Sequence, residues 1–217
     1  MSRRTSASKL PLPPDAEALR ARVPALRTLS TGARLARIYF TAGPAAGSWR
    51  HFRDFGPLGG RFDHHLPSPN GGPRAQDRAI LYCAVHVDTC VAEVFQMTRQ
   101  IDRVRNAPWL AIFELLRDVP LLDFTGAFTT RLGASTAINS GSRKRARAWS
   151  QAVYAAYPQS EGILYPSSMN GHAPAVALYE RARSAIPVAP RFNRSLADDA
   201  LLDVLKHSAS ALGYGLS

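Results

Sequence analysis

Three residues whose types suit a single piece of chemistry occur in order along this chain, each in its own local setting. Arg61 lies in Gly59-Gly60-Arg61-Phe62, and Glu93 ends Thr89-Cys90-Val91-Ala92-Glu93, after the apolar run from Ile80 to Val85. Ser167 ends Gly162-Ile163-Leu164-Tyr165-Pro166-Ser167. A cation, a carboxylate and a hydroxyl are the groups needed to hold a dinucleotide phosphate and cleave a glycosidic bond beside it. A guanidinium makes a two-point contact to a phosphate, and glycines before it let backbone approach a ligand closely. A carboxylate offsets the positive charge that builds on a sugar carbon as its bond to a leaving group breaks. No Gly-x-Ser-x-Gly elbow surrounds Ser167, which disfavours an acyl-enzyme hydrolase. Its hydroxyl is better suited to positioning a ribose or a phosphate than to attack.

Each residue also has an ordinary reading. Arg61 by itself is a surface arginine in a glycine turn. Glu93 falls away from the helical stripe of Val91, Val94, Phe95 and Thr98, as a solvated glutamate would. Ser168 adjoins Ser167 and offers the same hydroxyl. Tyr82 sits in an apolar run, either as a core aromatic or as a ring stacked on a flat ligand with its hydroxyl free to bond. His64 and His65 are adjacent and point in opposite directions on an extended segment, so they do not chelate one ion together. Asn170 and Gly171 read as turn chemistry.

The elements that must position these residues can be read from periodicity and punctuation. Residues 1–14 read as a flexible arm, and Asp15 caps a short helix from about Ala16 to Leu26. Arg34–Phe40 alternates as a half-buried strand does, with Arg37 on it. From Ala42 to Gln76 the chain is rich in Gly, Pro, Asn and Asp, a long irregular stretch of the kind that carries function, and Arg61 lies inside it. Ile80–Val87 reads as a buried strand, followed by a helix capped at Asp88 or Thr89 and running to about Gln100. Trp109–Leu116 and Val119–Phe124 are further strands. A helix spans Lys144 to Tyr157, and Gly162–Pro166 pairs with Ala175–Glu180 around an irregular connection. Ser195 with Asp198 predicts a capping box for a last helix that Gly213 stops. The arm and short helix thus occupy 1–33 and a single domain 34–217. Strands and helices mix without regular alternation, which makes the class α+β.

Composition narrows the partners. The 217 residues are 46% hydrophobic and 20% charged, an ordinary globular balance. Cys83 and Cys90 are too few for a disulfide framework and lack metal-ligand spacing. No apolar run approaches the roughly 18–20 residues that span a bilayer, and the first residues lack the apolar core of a secretory signal. A cytoplasmic location is expected. Lys and Arg number 27 against 16 Asp and Glu, a net charge of +11. Such a surplus attracts a nucleic acid, a polyphosphate-bearing small molecule or an acidic protein. Its densest cluster, Arg143-Lys144-Arg145-Ala146-Arg147, reads as the solvated first turns of a helix, with a partner's acidic surface as one use for it.

Taken in order, Arg61, Glu93 and Ser167 resemble the trio that gives the RES-domain family its name, and the resemblance extends from about Leu35 to Pro187. It implies a compact mixed-sheet α+β core similar to that of ADP-ribosyltransferase toxins, with the ligand cleft between sheets. It also implies cleavage of NAD at the nicotinamide–ribose bond, with inorganic phosphate as acceptor. On this resemblance Arg61 and Arg37 anchor the diphosphate, Tyr82 holds the nicotinamide ribose, Glu93 stabilises the developing cation and Ser167 orients the substrate. NAD is then a substrate, not a cofactor. No metal is required, because the leaving group is already a cationic pyridinium. The expected partner is an Xre-like antitoxin that assembles with the chain. After Phe62 the family more often has Asn, where this chain has Asp63, so ligand contacts just beyond Phe62 depart from the pattern.

Two other functions fit the same residues less well. The ADP-ribosyl group could pass to a macromolecule, which labelled NAD would reveal. A non-enzymatic basic module that binds nucleic acid would show steeply salt-dependent binding, but the sequence has no helix-turn-helix, zinc finger or RNA-binding aromatic motif.

Overall fold

The computed structural model describes residues 9–217. Helix α1 (Ala16–Arg20) starts at Asp15, whose carboxylate accepts the Ala18 N–H at 2.8 Å, a side-chain N-cap that satisfies one orphan donor. Strands β1 (Leu26–Leu29), β2 (Arg34–Phe40), β3 (Arg53–Gly56) and β4 (Arg74–Ala84) follow, then α2 (Val87–Val94) and the two-residue β5 (Gln100–Ile101). Next come β6 (Pro108–Glu114), β7 (Val119–Asp123), the single turn α3 (Phe128–Arg131) and α4 (Arg143–Ala156). Strands β8 (Gly162–Pro166), β9 (Pro174–Tyr179) and β10 (Phe192–Ser195), helix α5 (Leu202–Leu212) and β11 (Gly215–Leu216) complete the chain.

One nine-stranded sheet organises these elements, in the order β1-β7-β8-β9-β4-β2-β6-β10, with β3 paired to β4 off this path. Only β7 and β8 run parallel; the other pairings of this sheet are antiparallel. Alternation along β9 explains how one strand serves two cores. Ala175, Ala177 and Tyr179 face a layer built on Trp149, Val153 and Phe124, while Val176 and Leu178 face Leu35, Leu81 and Phe113. A third cluster packs α2 and α5 against Ala36, Ile38 and Leu110.

The feature that creates a site is a fork in this sheet. Strand β4 gives one edge to β9 from Ile80 to Ala84. Its other edge is shared: β2 holds it only at Ala84, through Ala36, while β3 holds it from Ile80 down to Arg74. Between β2 and β3 the sheet opens. The cleft that the resemblance placed between sheets therefore lies where a single sheet divides.

Several expectations need correction. Residues 9–14 are not a free arm: Leu10 is buried, and the Trp149 indole N–H donates to the Pro11 carbonyl at 2.8 Å. Residues 1–8 of the expected arm lie outside the described residues. The folded body begins before residue 34, because β1 pairs with β7. Helix α1 ends at Arg20, not Leu26. Helix α2 ends at Val94, not Gln100, and has no side-chain cap; Asp88 instead accepts the Ser208 hydroxyl and ties α2 to α5. The capping box at Ser195 does not form. Ser195 is in a strand, and Asp198 caps a 3-10 turn that precedes α5. Gly213 does stop α5, in the left-handed conformation at φ 66°. Among the described residues no helix is long and apolar enough to cross a membrane.

His64 belongs to the core. Its ring is fully buried, stacked on Tyr154 at 4.3 Å, and its Nε2 lies 3.2 Å from Glu180. Burial pushes the His64 imidazole below 6.5, so it is neutral and donates through Nε2. Burial alone would raise the Glu180 carboxyl, but hydrogen bonds from His64, the Ala79 N–H and Tyr154 outweigh that and hold it at about 2. Both shifts act in one direction on stability. A lowered folded pKa means that the unfolded chain binds more protons as the solution acidifies. Stability is therefore expected to decline first as pH falls below 6.5, through His64, and again from 4.5 towards 2, through Glu180. Denaturant melts from pH 8 to pH 3 check this, and Glu180→Gln should remove the lower step.

Candidate active site

A cleft of about 600 Å³ occupies the fork, walled by β2, β3, β4, the segment Leu58–Arg61 and the last turn of α2. Glu93 enters from α2, where Thr89, Cys90, Val91 and Ala92 are buried, and with Cys90 and Val94 it faces the cleft and not bulk water. The Glu93 carboxylate accepts the Ser167 hydroxyl at 2.6 Å. Ser167 is completely buried at the end of β8, and its oxygen also accepts the Met169 N–H at 3.1 Å. With its proton committed to Glu93, this hydroxyl fixes the carboxylate and does not face the cleft. Of the two adjacent serines, Ser168, exposed, is the one that lines it.

Arg61 is half-buried, and its Nη1 donates to the carbonyls of Gly141 at 2.7 Å and Ile138 at 3.4 Å. Burial lowers its pKa and neighbouring Arg143 lowers it further, while Glu93 opposes both. The guanidinium thus sits among the charged groups of the site. It lacks an ion pair among the described residues, and its hydrogen bonds go to backbone carbonyls that a stronger acceptor can replace.

Tyr82 lines the cleft, but its hydroxyl is not free as expected. It donates to Asp63 Oδ1 at 3.0 Å and accepts the Phe62 N–H at 3.0 Å. Burial first, and the Asp63 carboxylate second, push its pKa well above 10. Only the ring is available to a ligand. Asp63 itself is fully buried and gathers Arg53 Nη2 at 2.6 Å and the Leu58 N–H at 2.8 Å besides Tyr82. The position where the family pattern is broken is therefore an internal strut, not a ligand contact. It also explains Gly60, where a Cβ would stand 2.4 Å from Asp63 Oδ1 and 2.6 Å from the Tyr82 oxygen. That glycine makes room for the strut, whereas Gly59 has open space around it.

Arg37 projects from β2 into the same cleft. Its guanidinium reaches two carbonyls only distantly, Tyr82 at 3.5 Å and His51 at 3.4 Å, and its buried Nε has no hydrogen-bond partner among the described residues. Burial brings its pKa down to about 10.

The structure therefore brings Arg37, Arg61, Tyr82 and Glu93 to one cleft and sets Ser167 directly behind Glu93. Three lining residues escaped the sequence reading. Tyr165, on β8, packs its ring 4.7 Å from Phe62, and burial and Glu93 raise its pKa well above 10. The Tyr-Pro-Ser run was its only signal. Arg53 lies in the stretch read as irregular. Arg143 was counted in a solvated basic cluster, yet it lines the cleft and donates to Gln96 Oε1 at 2.7 Å and the Gly59 carbonyl at 3.3 Å. That cluster is not one exposed patch, for Arg145 holds the Leu10 carbonyl and Arg147 is half-buried. Asn170, read as turn chemistry, instead ties the connection between β8 and β9 to α2, its amide donating to the Thr89 hydroxyl at 3.0 Å.

No curated protein sequence matches this chain. Among solved structures, it is similar to a chain in the crystal structure of the M. tuberculosis MbcT-MbcA toxin-antitoxin complex. The TM-score is 0.57 at 16% identity, over 88% of this chain and 96% of that one. That likeness establishes the shared fold. The RES domain family model matches residues 34–199, which takes in Arg37, Arg61, Tyr82, Glu93 and Ser167, and the chain belongs to the RES domain family.

Proposed function

We propose that this chain is a NAD-degrading enzyme that cleaves the nicotinamide–ribose bond and passes the ADP-ribosyl group to inorganic phosphate. The observation that carries the reading is Glu93, a carboxylate held by a buried serine at 2.6 Å in a cleft that four arginines also line. In the reaction the C–N bond breaks with its electron pair moving to the pyridinium nitrogen, so nicotinamide departs neutral. A phosphate oxygen then bonds to the same ribose carbon. Glu93 offsets the cationic character of that carbon in the transition state, the electronic problem that glycosidases also meet with carboxylates. The guanidiniums hold the phosphates, and the Tyr82 ring gives the nicotinamide nucleoside a flat wall.

A toxin role with an Xre-like antitoxin as partner is part of this proposal. It draws support from family membership and from a structural neighbour that is a toxin-antitoxin complex. The net charge of +11 suits both a dinucleotide and an acidic partner surface.

The deciding test is NAD consumption with and without phosphate, with products resolved by mass. A phosphorylated ADP-ribose marks phosphorolysis, and free ADP-ribose marks hydrolysis. Transfer of label from NAD to a macromolecule would place the chain among the transferases instead. Arg61→Ala should weaken binding of NAD or of inorganic phosphate by about tenfold or more, the usual consequence of losing a charge-assisted contact to a phosphate. Arg61→Lys should recover only part of it, since an ammonium cannot reproduce the planar fork. Unchanged affinity for both ligands by calorimetry would remove Arg61 from the site.

A further inference from the structure

The cleft is lined by four arginines, Arg37, Arg53, Arg61 and Arg143, against two carboxylates, Asp54 and Glu93. The arginines fall into two pairs. Arg37 reaches the His51 carbonyl, two residues before Arg53, at 3.4 Å, while Arg61 reaches the Gly141 carbonyl at 2.7 Å and Arg143 that of Gly59 at 3.3 Å. The first pair stands on β2 and β3, the two arms of the fork. The second stands on the Gly59-Gly60-Arg61 segment and at the start of α4, on the Glu93 side.

Within each pair the positive charge is under-compensated. Arg53 is held by the buried Asp63, but that carboxylate also serves Tyr82 and the Leu58 N–H. Arg37 makes no ion pair among the described residues, and its Nε is buried without a hydrogen-bond partner. Arg61 and Arg143 spend their donors on carbonyl and amide oxygens. Burying a cation without its counter-ion is costly, and that cost falls on Arg37 and the half-buried Arg61, whereas Arg53 has Asp63 and Arg143 is exposed. Such an arrangement is stable once an anion lies between the guanidiniums.

We infer that the cleft has two separate anion subsites and holds two phosphate-bearing groups at once. Arg37 and Arg53, with Asp63 as the strut that aims Arg53, take the diphosphate of the dinucleotide. Arg61 and Arg143, beside Glu93, take a free oxyanion, inorganic phosphate being the one at hand. The assignment of ligands rests on the proposed NAD cleavage, and it gives that reaction its geometry. The acceptor is held next to the carboxylate that stabilises the reacting carbon, while the diphosphate is anchored on the opposite arm of the fork. Arg61 then belongs to the acceptor, and its loss, like that of Arg143, should weaken phosphate and leave ADP nearly unchanged.

The test uses the full chain and two probes, ADP and inorganic phosphate, by calorimetry. Phosphate should bind the ADP-saturated protein with an affinity within about threefold of that for the free protein, because the subsites are distinct. Arg143→Ala should weaken phosphate by about tenfold or more and leave ADP nearly unchanged. The double change Arg53→Gln with Asp63→Asn, which keeps hydrogen bonding while removing both charges, should do the reverse. Displacement of phosphate by ADP in the unmodified chain overturns the inference, whatever the variants do, and so does a failure of phosphate to bind either form. Equal weakening of both probes by each folded variant overturns it as well. Two-site binding without NAD turnover would instead retain the subsites and refute the proposed reaction.

Discussion

Glu93→Gln is expected to fold, to bind NAD and to lose about two to three powers of ten in turnover, the scale seen when one preorganised electrostatic group is removed. The amide preserves the shape of the carboxylate and can still accept the Ser167 hydroxyl that now lies 2.6 Å away. What it lacks is the negative charge that opposes cationic character on the ribose carbon. The loss should therefore fall on kcat, with KM little changed, which is the pattern for an interaction made only in the transition state. Ser167→Ala should cost less, because the serine touches Glu93 and not the cleft. Its effect should nearly vanish in the Glu93→Gln background, since there is no charge left to aim. A double-mutant cycle measures that coupling directly. Near-normal turnover by Glu93→Gln would end the proposed role, and additive losses would end the positioning role of Ser167.

This dependence of one residue on another marks the limit of what the chain's order of residues conveys. Strands β2 and β8 were legible with their correct limits, because alternation and a short apolar run are local signals. Strands β1, β3 and β10 were not, since they bury few side chains and their pairing comes from distant partners. Missing β3 hid the fork, and with it the reason that Arg53 has a place in the cleft. Glu93 looked solvated because periodicity reports which side of a helix is apolar. It cannot report that the polar side lines a cleft.

The Gly59-Gly60-Arg61 segment shows the same limit in another form. The sequence suggests backbone approach to a ligand, whereas Gly60 is required by Asp63 and Tyr82 behind it. Asp63, fully buried, aligns Arg53, fixes the Tyr82 ring through its hydroxyl and closes the turn at Leu58. A carboxylate in that position is a departure from the family's more usual Asn, and it pairs with an arginine supplied by β3. Carboxylate and arginine lie 10 residues apart in sequence, and only the fold shows that they meet.

On the proposed activity, production of this chain alone in a bacterial host should arrest growth and empty the NAD pool, while the Glu93→Gln chain should be tolerated. NAD supports central metabolism, so an unrestrained enzyme that consumes it reaches every pathway at once. The expected arrest is correspondingly large, a loss of net growth and not a slower rate. An antitoxin that covers the cleft would prevent it, and the guanidiniums at the fork offer such a partner an anion-seeking surface. An acidic segment would be steered there quickly, even where apolar contacts supply most of the affinity. The comparison of the two chains isolates chemistry from burden, because they differ by one uncharged-for-charged substitution and present nearly the same surface. Intracellular NAD should fall before growth stops in the first case and stay level in the second. Equal growth of both cultures at equal, verified expression would count against the toxin reading. Arrest by both chains with NAD intact would mean that harm arises from binding and not from catalysis.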